Sequence, residues 1–352
     1  MKLAFVCLNA DASDPVHATT ARWIDAFAAR PEIDHLTVLA LRAGPVPPRA
    51  NLTVRTFRGQ NRIGTLWNFY REVVRALRTG VGAIFVYQTG PYPVLLWPVK
   101  LLAGVPVYYW KAHPHISTWT RLGAKFVARK VFTSTPAAFP LALPNVVVVG
   151  QGVDVARFVP RPSIPLGDLV TVGRVAPVKG LEEMIRAVAR CNERFGSRLR
   201  LDVYGPTLSE DGAHAQQLAE LAGSFGRLAP VTFHGPVVQD ELPGLLGGYR
   251  AFLNFSKTAL DRSVVEAMAC GVPVLSTNPA VAEILPPDLR GDLTAPADNL
   301  DAQAEAIHRL LDLDDQRRAD ISAALRRLVV EEHNLDALVA RIVGELDHVR
   351  AE

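Results

Sequence analysis

A strand that runs into a glycine, then an arginine, then a lysine just before a helix makes a resting place for phosphate. Residues Val170-Thr171-Val172-Gly173-Arg174-Val175-Ala176-Pro177-Val178-Lys179-Gly180 have that pattern, and the helical run Leu181–Arg194 follows them. Backbone N–H groups exposed at a helix start, together with the helix dipole, attract anions. Arg174 and Lys179 add two cations beside them, a set suited to a diphosphate. The plainer reading is an ordinary strand–loop–helix whose basic residues are solvated. Neighbouring segments have to decide between the two.

Downstream, Val203-Tyr204-Gly205-Pro206 and Val231-Thr232-Phe233-His234-Gly235-Pro236 are strands that end in glycine turns, which bring backbone close to an occupant of the sheet edge. The stretch Asn254-Phe255-Ser256-Lys257-Thr258-Ala259-Leu260-Asp261-Arg262-Ser263-Val264-Val265-Glu266 then leads into Ala267-Met268-Ala269-Cys270-Gly271-Val272-Pro273-Val274. A loop here feeds a short helix that carries Glu266. A carboxylate on the buried side of a helix start can accept two hydroxyl hydrogen bonds, as a ribose requires. Its bland alternative is a glutamate on the helix surface.

Taken in this order, the segments resemble glycosyltransferase family 4, a retaining group with the GT-B fold. The likeness runs from about Val148 to Val274 and includes Gly150-Gln151-Gly152-Val153-Asp154-Val155-Ala156-Arg157-Phe158-Val159-Pro160, which matches the family's inter-domain G-V-D…F-x-P signature. The resemblance implies two Rossmann-like domains facing a central cleft, with a C-terminal helix returning to the first domain. It implies a nucleotide diphosphate sugar, UDP- or GDP-linked, as donor, with no cofactor and no metal. Arg174 and Lys179 would hold the donor diphosphate and stabilise the leaving phosphate, beside Gly173 and Gly205. Glu266 would hold the ribose, and the backbone around Asp261, Arg262 and Ser263 would lie near the donor sugar or its phosphates. The chain departs from the family where its E-x7-E pair would place a first glutamate, because position 258 is Thr258. Asp261 is the nearest carboxylate that can take over the sugar hydroxyls. No Asp-x-Asp pair stands where a metal would meet the diphosphate.

In the first half, Tyr108-Tyr109-Trp110-Lys111-Ala112-His113-Pro114-His115 ends a strand and opens a loop. It resembles the family's strand-end histidine, which points at the donor sugar; His113 takes that place, with His115 as the alternative. A loop histidine satisfied by local hydrogen bonds is the competing reading. The glycine-rich loop common after the family's first strand is replaced by Asn9-Ala10-Asp11-Ala12-Ser13-Asp14-Pro15, so acceptor contacts do not transfer residue by residue.

These residues need a scaffold, and the hydrophobic pattern supplies one. Short β-branched runs alternate with helical patterns, the rhythm of parallel α/β layers. Strands are expected at 2–8, 36–41, 53–57, 83–87, 105–110, 131–133 and 146–149, then at 169–172, 199–204, 231–234, 251–254 and 274–276. Helices are expected at 19–29, 63–78, 180–195, 213–225, 263–269 and 300–311. Three prolines in Pro160-Arg161-Pro162-Ser163-Ile164-Pro165 mark a linker. The domains are then 1–158, an N-terminal acceptor domain, and 166–325, a donor domain. Residues 326–352 form a helix whose apolar spacing from Leu335 to Leu346 predicts packing on the first domain.

Length and composition agree. At roughly 100–200 residues per domain, 352 residues make two domains. No apolar run reaches the ~20 residues that span a bilayer, and Met1–Leu8 reads as a buried strand instead of a signal peptide. Cys7, Cys191 and Cys270 are scattered, with neither a disulfide framework nor a zinc site, which fits a cytoplasmic protein. Residues 1–150 hold 17 Lys and Arg against 6 Asp and Glu, a surplus of +11, which leaves −8 for the remainder of a chain of net +3. That split predicts an anionic partner for the first half: a membrane surface or an acidic acceptor. No nucleic-acid motif accompanies it. Arg121, Lys125 and Arg129 recur at i, i+4, i+8 with Trp119, Leu122 and Phe126 nearby, a basic helical stripe of the interfacial kind. Arg55, Arg58, Arg62, Trp67, Phe69, Tyr70, Arg71, Arg75 and Arg78 give a second such mixture.

Three rivals share parts of this pattern. A nicotinamide dehydrogenase needs a third glycine where the chain has Val155, and Asp168 precedes a strand when it should end one. A non-hydrolysing sugar-nucleotide epimerase shares the architecture. A silent binding scaffold is a third class, opposed by the joint presence of Arg174, Lys179 and Glu266.

Overall fold

Strands buried on both faces are near-continuous apolar runs, and such runs need helices on either side of a parallel sheet. The computed structural model, which describes residues 1–14, 18–161 and 164–347, builds that arrangement twice. The chain divides into two compact units, Met1–Gly152 with the closing helix that begins at Leu335, and Val153–Asn334.

The first unit contains β1 (Lys2–Ala10), α1 (Ala18–Ala28), β2 (His35–Ala43), β3 (Leu52–Thr56), α2 (Arg62–Arg78) and β4 (Ala83–Tyr87). It continues with α3 (Pro91–Leu95), α4 (Trp97–Ala103), β5 (Val107–Trp110), α5 (Thr118–Leu122), β6 (Ala128–Thr133) and β7 (Val146–Val148). Its seven strands run in the order β3-β2-β1-β4-β5-β6-β7, each neighbouring pair parallel. One face buries Phe5, Trp23, Phe27, Phe85, Tyr108 and Trp110; the other buries Phe57, Phe69, Tyr92, Tyr109 and Val127. Tyr108 and Tyr109 thus go to opposite faces, as consecutive strand residues must.

The second unit contains β8 (Gly167–Val172), α6 (Leu181–Phe195), β9 (Leu201–Tyr204), α7 (Gly212–Phe225), β10 (Val231–Gly235) and α8 (Leu242–Leu246). Then come β11 (Tyr249–Asn254), α9 (Arg262–Ala269), β12 (Val274–Ser276), α10 (Pro279–Ile284), α11 (Arg290–Leu293), α12 (Leu300–Leu311) and α13 (Asp315–Glu332). Five parallel strands run β10-β9-β8-β11-β12. The strand order reverses between β8 and β11, and such a switch point leaves a crevice at the strand C-termini. Helix α6 shows how the sequence seats itself: Leu181, Met184, Ile185, Val188 and Cys191 are buried at helical spacing, while Arg186 pairs outward with Glu182.

The closing helix α14 (Leu335–Asp347) puts Leu335, Leu338, Val339, Ile342, Val343 and Leu346 into the aromatic core around Trp23. It therefore returns to the first unit, as expected, and Lys130 of β6 pairs with its Glu345. The boundaries differ from those read in the sequence. The crossing lies at Gly152/Val153 and not near 158, because Val153 and Phe158 are buried in the second core. The return lies at Asn334/Leu335 and not at 326, because α13 runs through 326 with Leu325, Leu328 and Val329 in the second core. Arg326 fixes this segment by donating to the carbonyl oxygens of Val155 at 2.8 Å and Ala269 at 3.0 Å. Both crossings run side by side, joined by the Val153–Asn334 bridge. Pro162 and Ser163 of the expected linker, Pro15, and residues 348–352 of the expected tail lie outside the described residues.

The expected basic stripe is also corrected. Arg121 lies in α5, Lys125 in a π-helical turn (Gly123–Val127), and Arg129 already in β6. Val131 and Phe132 must reach the two cores, so the chain becomes extended at Ala128, and no single helix carries the three cations. Cys7 and Cys270 are buried, and burial pushes both thiols up to about 12, which keeps them protonated and unreactive. No described helix is long and apolar enough to cross a membrane.

Candidate active site

The β8–α6 connection is built around two glycines that no other residue can replace without moving backbone. Gly180 adopts φ +67°, and a Cβ there would meet the Phe255 carbonyl oxygen at 2.2 Å. Gly205 adopts φ +149°, and a Cβ there would lie 1.8 Å from the Gly173 carbonyl oxygen. The close approach is held by backbone bonds: Gly173 N–H donates to Tyr204 O at 2.9 Å and Gly205 N–H to Gly235 O at 2.7 Å. Gly180 is the left-handed cap of α6, which starts at Leu181, one residue later than the pattern suggests; a short 3-10 turn, Pro177–Lys179, precedes it.

This arrangement presents Gly173, Arg174 and Lys179 in a small recess also lined by Thr171, Asn254 and Asp261, at the switch point between β8 and β11. Lys179 Nζ donates to Asp261 Oδ1 at 2.5 Å, and Asn254 Nδ2 donates to Asp261 Oδ2 at 3.1 Å. The Asp261 side chain is therefore turned inward, and it makes no capping bond to the start of α9 although it occupies the cap position. Each of its oxygens retains room for a further donor.

Arg174 has a looser setting. Its Nη1 lies 3.7 Å from Glu210 and its Nε 3.6 Å from Asp211, distances beyond good hydrogen bonds. The guanidinium is 42% exposed and Glu210 66% exposed, so these pairs hold it only weakly and an anion can draw it away.

Thr258, at the position where a glutamate was sought, is half-buried. Its hydroxyl bonds to Ser256 at 3.0 Å and its carbonyl accepts from Asn278 Nδ2 at 2.9 Å, which pins the loop that delivers Asp261. Arg262 and Ser263 open α9. Glu266 is buried, which sets aside the helix-surface reading. Burial pushes its carboxyl up from the usual range, while the charges of Arg262 and Arg157 and a hydrogen bond with Gln239 pull the other way.

His113 belongs to the first unit. It is exposed in the loop after β5, and its Nδ1 accepts from the His115 backbone N–H at 3.0 Å. The same edge of the sheet holds a residue whose sequence gave no signal, Gln88. It is the one described non-glycine residue with positive φ, at 66°, and its carbonyl accepts from Lys111 Nζ at 3.3 Å. Strain of this kind gathers at functional edges. Asn254, Glu210 and Asp211 likewise carry no signal in the sequence and join this site only through the fold. Among the described residues, no group of three or more His, Cys, Asp or Glu could hold a metal ion.

Residues 167–313 match the family model of Glycosyl transferases group 1. Over 291 residues, the chain is 28% identical to a GDP-mannose-dependent alpha-(1-6)-phosphatidylinositol monomannoside mannosyltransferase of Mycobacterium tuberculosis, covering 72% of each. A D-inositol 3-phosphate glycosyltransferase of Rhodococcus opacus is 30% identical over 208 residues; these cover 55% of this chain and 42% of that protein, so less than half of it is spanned. The crystal structure of Anabaena HepE with UDP and glucose superposes with a TM-score of 0.78 at 19% identity, covering 99% of this chain and 100% of that one. Sucrose-phosphate synthase from Thermosynechococcus elongatus gives 0.74 at 15% identity, covering 100% of both.

Proposed function

From the premise that this chain is a group 1 glycosyltransferase with the GT-B fold, we propose that it moves a hexosyl group, with retention, from a UDP- or GDP-linked donor to a glycan or lipid-linked acceptor. The observation that carries the proposal is the pair Arg174 and Lys179 beside Gly173 and Gly205 at the β8/β11 switch point. In this reading the diphosphate takes Arg174 from its weak partners and shares Lys179 with Asp261. The acceptor oxygen bonds to the anomeric carbon as the bond from that carbon to the phosphate oxygen breaks, and the acceptor proton passes to the departing phosphate. The chain contributes positioning and two cations where negative charge grows. Glu266 holds the ribose, Asp261 accepts from sugar hydroxyls in place of the glutamate missing at Thr258, and His113 contacts the donor sugar. The GDP-mannose dependence of the mycobacterial relative and the UDP and glucose held by HepE support a hexose donor. The setting we assign is the cytoplasmic face of a membrane, where envelope or exopolysaccharide glycans are assembled.

Incubation with a panel of UDP- and GDP-hexoses and candidate acceptors, in excess EDTA, tests this by mass spectrometry. The expected product is an acceptor carrying one added hexose, formed at the same rate with or without EDTA. Loss of turnover in EDTA that manganese or magnesium restores would overturn the metal-free step. Binding of donors with no transfer or hydrolysis of any would leave a silent scaffold.

A further inference from the structure

Helices α2, α3 and α4 and the π turn pack on one face of the first sheet, through Phe69, Val73, Tyr92, Val99 and Val127. Their outer faces mix cations with large apolar side chains. Ile63 and Trp67 on α2 are 82% and 72% exposed, and Leu101 and Leu102 on α4 are 72% and 90% exposed. Trp97 of α4, Trp119 of α5 and Phe126 of the π turn also stand half out of the surface. The Trp97 and Phe126 rings lie parallel at 5.9 Å, and the Lys125 ammonium sits 5.2 Å from the Phe126 ring centre. Lys100 Nζ donates to the carbonyl oxygens of Phe126 and Val127 at 3.0 Å each, which fixes α4 against the π turn. Between the side chains of α3 and α4 lies an open hollow of about 550 Å³ lined by Val94, Trp97, Pro98, Leu101 and Leu102.

The charge of this part of the chain is almost all of one sign. Residues 51–133 contain 12 Lys and Arg and a single acid, Glu72. Glu72 is buried and already paired with Arg71 at 3.1 Å and Arg75 at 2.7 Å, so it offers nothing to an incoming cation. Aromatic and aliphatic side chains that project among cations are suited to a surface apolar below and anionic above. A second copy of this chain would present the same positive face and repel it.

We propose that this face, with Leu101 and Leu102 as its wedge and Trp67, Trp97, Trp119 and Phe126 around it, inserts into the headgroup region of an anionic lipid bilayer. The inference deepens, and rests on, the lipid-linked acceptor reading above, but places the contact on an apolar crest spread over several elements in place of one basic helical stripe. Arginines and lysines supply attraction that salt screens, and the crest supplies an attachment that salt does not remove.

The test is sedimentation of the full chain with phosphatidylcholine vesicles and with mixed phosphatidylcholine–phosphatidylglycerol vesicles. The wild type is expected to sediment with the mixed vesicles alone, with its tryptophan emission shifted to shorter wavelength. Leu101→Ser with Leu102→Ser is expected to cut the bound fraction at least about ten-fold, and Arg121→Glu with Lys125→Glu by a similar factor. Both pairs lie on exposed positions of the first unit, whereas the recess lined by Arg174 and Lys179 is built entirely by the second, so donor hydrolysis in solution should stay at the wild-type rate. Unchanged vesicle binding by the leucine variant, or no binding by the wild type to mixed vesicles, overturns the proposal. So does self-association that the leucine variant abolishes, since a second copy would then be the occupant. Transfer to a lipid-linked acceptor without vesicle binding would defeat the docking face alone, whereas vesicle binding with transfer only to soluble glycans would defeat the acceptor reading.

Discussion

Replacing Lys179 by Ala is expected to lower kcat at least about 30-fold, on the order of 2 kcal/mol of transition-state stabilisation, and Arg174→Ala by a similar or smaller factor. Each side chain supplies a positive charge that gains in value as the phosphate leaves. Lys179 has a second task, because its ammonium is one of two groups that hold Asp261. Removing it leaves the carboxylate on Asn254 alone and free to move away from the sugar position. Arg174 has no comparable second task, since its pairs with Glu210 and Asp211 are long. The Lys179→Ala/Asp261→Asn double variant should therefore lose less than the two single losses combined, the mark of residues that act as one unit. Steady-state kinetics with the preferred donor check this, and strict additivity would show that the ion pair has no part in turnover.

Gly205→Ala is expected to destabilise the second unit by about 3 kcal/mol or more, which lowers its Tm by roughly 6–12 °C for a unit of this size. The added Cβ would stand 1.8 Å from the Gly173 carbonyl oxygen, and φ at +149° is closed to alanine as well. Neither side can yield cheaply, because Gly173 and Gly205 each donate a backbone bond to the next strand across. The strain falls on the loop that carries Arg174, so donor affinity should drop with stability. Gly223→Ala in α7 is the control: a Cβ there meets nothing within 4 Å, and it should leave Tm unchanged or raise it slightly. Thermal unfolding of both variants decides the matter; equal Tm values would mean that the loop relaxes without cost.

The parts of this fold that could be read in the sequence are those fixed by burial. The inner strands, β1, β4 and β5 among them, stand out as short apolar runs because they are covered on both faces, and α14 stands out because one stripe of it must enter an aromatic core. The glycine turns were legible as well, since Gly180 and Gly205 occupy backbone positions that only glycine fills. What escaped depends on tertiary partners. Arg121, Lys125 and Arg129 have helical spacing, yet the demand of β5 for a neighbour makes the chain extended at Ala128. Prolines from Pro160 onward suggested the boundary, but the second core had already claimed Val153 and Phe158. Asn254 looked like a strand end and nothing more; its role follows from Asp261 folding back on it, seven residues later. Glu210 and Asp211 sit in a loop whose approach to Arg174 no periodicity announces.

The proposed transfer requires a nucleoside diphosphate to rest on Arg174 and Lys179 in the second unit. Isothermal titration of UDP and of GDP into the wild type and into the Arg174→Ala/Lys179→Ala double variant tests it most directly. One of the two diphosphates is expected to bind the wild type, the corresponding nucleoside to bind far more weakly, and the double variant, with an unchanged Tm, to lose the difference. Equal affinity of the diphosphate for the wild type and the double variant would contradict it.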